Sequence, residues 1–258
     1  MIEIAISLAV IGFALVAIIG ILPTGLDVQK QNKEETIINQ DASIWMEAIR
    51  NGVQGADDLT NYVLSITKYS TVYETANPPN PIGSSAVTYS NLSLPYGINS
   101  GYRIIGLLST PKFTYDDPLN RPPRFFTSNY VVAVVRSMSG AAFDKFPQDN
   151  PTLQDAAFKY RLISEVVPFY NTDPSWVDPA NPAYLGTNYA TTVIKRELNL
   201  YDLRLIFRWP VLPNGNIGNS RLVFRTQASG SVTNEPTTFK TPRFGYFFKS
   251  RTYVNAAP

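Results

Sequence analysis

From Ile4 to Leu22 the chain is apolar almost without interruption. The run IAISLAVIGFALVAIIGIL holds no charge and a single hydroxyl, Ser7. As a helix rising ~1.5 Å per residue it matches the ~30 Å hydrocarbon thickness of a bilayer. Glu3 stands just ahead of it, and Pro23 and Gly25 just behind. Gln29–Glu35 is polar all round. Beyond it Ile38, Ala42, Trp45, Ile49 and Val53 recur at three- and four-residue steps, broadened by Ile37 and Met46, and Asn51-Gly52 supplies a stop. The pattern predicts one long helix over Ile2–Gly52, apolar in its first half and amphipathic in its second. Trp45 reads as a core residue sealing that second half against a sheet.

From about residue 60 the period changes to that of strands. Tyr62–Tyr73, Tyr102–Leu108, Asn129–Arg136, Lys159–Val167, Leu203–Trp209 and Arg221–Ala228 are rich in β-branched and aromatic residues, and a last strand is expected within Phe244–Val254. Alternation is clearest at Leu203, Leu205, Phe207 and Trp209, with Arg204 and Arg208 facing the other way. Asn214-Gly215 then predicts a hairpin through the loop PVLPNGNIGNS. Proline-rich stretches at Glu74–Pro81, Thr110–Pro123 and Pro168–Pro182 read as long loops. The expected fold class is α+β, a long N-terminal helix packed on a mainly antiparallel sheet. Two domains are expected: residues 1–53, the helix, and 54–258, a β-rich head.

Composition removes most chemistry. The 258 residues carry a formal net charge of +2 and contain neither cysteine nor histidine. Disulfides, thiolate metal sites and thiol nucleophiles are therefore excluded, as is the commonest general base. No P-loop and no G-x-S-x-G occurs. No enzyme and no cofactor is expected. Oxygen ligands for calcium are conceivable at Asp116-Asp117 and around Asp173 and Asp178 (with Asn171 and Asn181), but the spacing is not that of an EF-hand. Loop capping is the plainer reading, so no metal is assigned. Arg204, Arg208, Arg221 and Arg225 are expected on one face of the hairpin, as a solvated face or as partners in intersubunit salt bridges. Nucleic acid is not the expected partner.

The N-terminal helix admits three readings. A secretory signal peptide needs a basic flank, and Met1, Ile2 and Glu3 supply none. A plain single-pass anchor carrying a periplasmic binding domain fits the length but leaves Glu3 unexplained, since a lone carboxylate beside a membrane span costs free energy. The third reading accounts for more: Ile2, Glu3, the Ile4–Leu22 run and the helix-disturbing Pro23 together resemble the processed N-terminus of type IV pilins and of the related pseudopilins of type II secretion systems. The resemblance covers about the first fifty residues.

That resemblance implies a structural subunit of an extracellular filament on a bacterial cell surface, anchored in the inner membrane before assembly. Its partners would be identical subunits, with a prepilin peptidase and a pilus assembly machinery acting on it. Glu3 would pair with the Met1 amine of the next subunit, and the helix would melt or kink around Pro23 and Gly25, over Leu22–Leu26. A minor pilin or a pseudopilin is the nearest variant of this reading.

Overall fold

A computed structural model of the chain describes residues 2–52, 56–74, 80–90, 97–115, 125–139, 158–169, 196, 198–234, 245–249 and 252–253. Helix α1 runs from Ile2 to Arg50 and a 3-10 turn from Asp57 to Asn61. The strands are β1 (Val63–Glu74), β2 (Asn80–Ser90), β3 (Phe113–Tyr115), β4 (Phe125–Arg136), β5 (Lys159–Pro168), β6 (Leu200–Val211), β7 (Ile217–Ser229), β8 (Ser231–Asn234) and β9 (Tyr246–Lys249), with a second helix, α2 (Gly101–Leu108), between β2 and β3. The order β2-β1-β4-β5-β6-β7 forms one antiparallel sheet. In it β3 pairs with the start of β4, while β8 and β9 form a separate ribbon. The fold is α+β, as the change of period along the sequence predicts.

Strand residues on the inner face make the core. Ile66, Val131, Ala133, Val135, Tyr160, Leu162, Leu203, Leu205, Phe207 and Trp209 are all buried there. The second half of α1 lies on that face against β6 and β7, flanked by α2 and β9. It contributes Ile38, Ala42, Trp45, Ala48 and Ile49. Fully burying side chains the size of Ile38 and Ile49 is worth about 1.5–3 kcal/mol each, which ties this half of the helix to the sheet. The helix stops where Gly52 takes φ +58° and its N–H reaches back to the Ile49 carbonyl. Any side chain at Gly52 would strike the Phe248 carbonyl, so the stop is fixed by backbone contact as well as by conformation.

Five elements differ from the sequence expectation, and one of them, β8, has no expected counterpart. Tyr102–Leu108 is not a strand but most of α2. Ile104, Ile105, Leu107 and Leu108 are spaced as a helix needs to present one apolar face, and all four are buried. Strand β2 begins at Asn80, inside the expected loop Glu74–Pro81, and β3 lies inside the expected loop Thr110–Pro123. The hairpin loop is shorter than expected. β6 continues to Val211 and β7 starts at Ile217, so only Leu212–Asn216 turns, with Gly215 at φ +81° and its N–H bonded to the Leu212 carbonyl. The ladder extends because Val211 and Ile217 still pair. Val53 and most of Pro168–Pro182 lie outside the described residues.

Candidate functional site

The feature that needs a function is the first half of α1. Every described residue from Ile2 to Lys33 is exposed, and the most apolar window of the helix has no buried residue. Ile4, Leu8, Val10, Ile11, Phe13, Leu15, Val16, Ile18, Ile19 and Leu22 are each more than half exposed, Phe13 to 80%. Soluble monomers rarely expose a continuous apolar patch above a few hundred Å². A helix apolar on all sides cannot be satisfied by one neighbouring face; it needs lipid or other helices around it. α1 is long and apolar enough to cross a membrane.

Glu3 sits in the first turn of this segment, and Ser7 Oγ donates to its backbone carbonyl at 2.8 Å. Met1, the other half of the expected pairing, lies outside the described residues. Pro23 and Gly25 fall within unbroken helix, so the melting expected over Leu22–Leu26 does not occur in the isolated chain. Proline deprives the helix of one backbone bond, and the turns on either side carry it through that gap. Gly12, Gly20 and Gly25 have open space where a side chain would stand. Their flat surface, with Ala5, Ala9, Ala14 and Ala17 beside it, is what close helix packing requires.

The far half of α1 is an anchorage with a polar centre. Ile38, Ala42, Trp45 and Ile49 are buried, and between them at the same helical spacing lies Asp41, also fully buried. Asp41 Oδ2 accepts from the Met138 N–H at 2.9 Å and from the Tyr160 hydroxyl at 2.9 Å, and Oδ1 accepts from Ser139 Oγ at 2.6 Å. Tyr160 in turn accepts from Trp45 Nε1 at 3.0 Å. One carboxylate thus ties the helix to β5 and to the segment after β4.

Burial pushes the Asp41 carboxyl above its ordinary pKa, against the pull of these hydrogen bonds. The site accommodates both protonation states. Protonated at Oδ1, Asp41 can donate to Ser139 Oγ, whose own hydrogen then turns to the Ile37 carbonyl at 3.3 Å. Burial, and then the Asp41 charge, hold Tyr160 far above an ordinary phenol, so it stays a donor. Sequence reading passed over Asp41. Its signal is an acid at a core position of an apolar stripe, which demands buried partners.

The two halves meet at Glu34, the first residue of α1 that is mostly covered, where Trp209 Nε1 donates to Glu34 Oε2 at 3.1 Å. Glu3 and Ile38 are at opposite ends of this arrangement, ~52 Å apart along one helix axis. The structure therefore brings the core-packing residues together and leaves Glu3, Pro23 and Gly25 clear of them. Asp173, Asp178, Asp116 and Asp117 lie outside the described residues. Among the described residues no three acidic side chains converge as a metal site would need. The chain matches no protein-family model, no curated protein and no solved structure.

Proposed function

We propose that the chain is a structural, non-catalytic subunit of an extracellular type IV pilin-like filament, held in the inner membrane by Ile4–Leu22 until it assembles. The observation that carries this reading is the contrast within α1. One stretch, Ile4–Leu22, is apolar on all sides and exposed, yet it is continuous with a half locked to the sheet. Exchanging lipid for the apolar helices of identical subunits would keep the first half buried throughout, while the sheets tile the outside. Glu3 would then fix register by pairing with the N-terminal amine of a neighbour. A buried pair of this kind depends on both members, because the one left alone is an uncompensated charge. Pro23 and Gly25 mark where the helix could unwind on entering a crowded bundle. Processing by a prepilin peptidase and extraction by an assembly machinery belong to the same proposal.

The test combines electron microscopy of material shed from the native cell surface with mass spectrometry of the N-terminal peptide. Thin filaments containing the chain, with a processed N-terminus, are expected. A membrane-bound monomer with no filament would replace this reading with an anchored exterior domain. Filaments in which the chain is only a trace component would make it a minor pilin or a pseudopilin. Glu3→Ala is expected to leave the packing of α1 on the sheet intact and to abolish incorporation; normal filaments from that variant would end the role given to Glu3.

A further inference from the structure

α1 covers one face of the sheet, and the opposite face has an unbalanced charge pattern. Strand registers set Thr67, Val132, Ile163, Ile206 and Val223 side by side as a mostly apolar row. On one side of it Glu165, Arg204 and Arg225 stand in line. That row is compensated except for one cation: Asp202 is shared by Arg204 at 2.6 Å and Arg225 at 2.7 Å, and Lys112 pairs with Glu165 at 3.0 Å. On the other side Arg161, Arg208 and Arg221 stand directly opposite one another on β5, β6 and β7. Among the described residues no acid pairs with any of the three, and Arg161 Nε is buried without an acceptor. Neighbouring strands are ~4.8 Å apart, so like charges in this position repel.

Among the described residues the uncompensated row ends at a sheet edge. There β7 pairs only with β6, in unbroken register from Ser220 to Ser229 beyond a shift at Trp209/Val211, and has no proline. Its outward backbone groups form an open template, of the kind that natural sheets usually blunt with proline or bulges. The opposite edge is blunted in that way: β2 carries Pro81, and its ladder with β1 shifts at Val72/Tyr73. On β7, Arg221, Val223 and Arg225 point out and are exposed, while Leu222 and Phe224 on the other side are partly buried against the core.

We propose that the β7 edge is a docking site for an extended acidic peptide strand of another protein, which adds to the sheet. Its outward residues would read acid, apolar, acid beside Arg221, Val223 and Arg225, with apolar residues beside Leu222 and Phe224. A polypeptide is the occupant that answers both observations. Its backbone satisfies the edge and its carboxylates complete the arginine row, whereas a polyanion without amides would answer only the second. No segment of this chain places acid, apolar and acid residues at successive alternate positions, which argues for a different protein over a second copy. The proposal involves neither Glu3 nor the apolar half of α1, so its failure would leave the filament reading untouched.

The test uses the full chain in detergent micelles and the labelled peptide Thr-Glu-Leu-Val-Leu-Glu-Thr, with a lysine-for-glutamate counterpart. Binding is followed by fluorescence anisotropy and by amide hydrogen exchange. The glutamate peptide is expected to bind and to slow exchange along β7, and the lysine peptide to do neither. The double variant Arg208→Glu/Arg221→Glu is expected to weaken the glutamate peptide about tenfold and to accept the lysine peptide. Arg221→Ala, which introduces no new charge, should weaken binding by a smaller factor. Absence of binding, binding without slowed exchange on β7, or displacement of the peptide by a single-stranded oligonucleotide that protects no β7 amide would each overturn the proposal.

Discussion

The two halves of α1 are one continuous helix with opposite solutions to the same problem. Residues 34–50 bury a stripe against their own sheet, and the stripe includes a carboxylate satisfied by three donors. Residues 2–33 bury nothing. The difference is written in the width of the apolar face. A stripe at three- and four-residue spacing can be satisfied by a single sheet, whereas residues apolar in every direction can be satisfied only by surroundings that close around them. The apolar side chains of the first half therefore need cover that the chain does not itself provide, whereas those of the second half are covered by the head.

Substitutions should separate the halves cleanly. Trp45→Ala removes the largest side chain that α1 buries together with the donor to Tyr160, and is expected to cost about 3–5 kcal/mol of folding stability in denaturant titrations. Membrane association should not change. Phe13→Arg places a charge at the middle of the apolar run and is expected to disfavour insertion by about 2.5–3.5 kcal/mol in a membrane-integration assay. The melting of the sheet should not change. Coupled losses in either variant would mean that the halves are not independent.

Asp41→Asn probes the junction more finely. The amide oxygen can keep the bonds from Met138 and Tyr160 while the amide nitrogen donates to Ser139 Oγ, but bonds to a charged acceptor become neutral ones, so a loss of about 1–3 kcal/mol at neutral pH is expected. Its pH dependence carries a distinctive sign. Because burial lifts the folded pKa of Asp41 above the ordinary 3.8, the folded state holds the extra proton. Its contribution to stability rises as pH falls through the raised pKa and levels off below 3.8. Asp202, on the outer face, behaves oppositely. Desolvation pushes it up, but the hydrogen bonds and charges of Arg225 and Arg204 together bring it below 3.8. Its contribution is present above that value and disappears as pH falls through the lowered pKa. Urea midpoints followed against pH should show Asp41→Asn losing the first trend and Asp202→Asn losing the second, the latter with the smallest effect of the four.

Much of this was legible along the chain because burial writes a period into sequence. β4, β5, β6 and β7 alternate or run apolar, and the stripe of α1 is explicit at Ile38, Ala42, Trp45 and Ile49. Where burial is absent or short the signal fades. β2 is exposed along most of its length, and Ser84, Ser85 and Thr88 are held there by backbone pairing to β1, which leaves no hydrophobic mark. α2 is only eight residues long, and its Ile104-Ile105 pair favours a strand reading until the whole apolar face is counted. Asp41 went unread because its partners Met138, Ser139 and Tyr160 are about a hundred residues away along the chain. The arginine row is half legible. The hairpin spacing groups Arg208 with Arg221, but Arg161 joins them only through the β5–β6 register.

The hydrogen bond from Trp209 to Glu34 also acts as a ruler. It falls on the first residue of α1 that is mostly covered, and the apolar run ends at Leu22. The helix between these residues is ~18 Å long at ~1.5 Å per residue. The headgroup layer on one side of a bilayer accounts for only about 5–7 Å of that. A chain held by Ile4–Leu22 would thus have ~11 Å of helix beyond the headgroups before its hydrogen bond to Trp209, a spacer built from the polar turns Gln29–Lys33 and the residues before them.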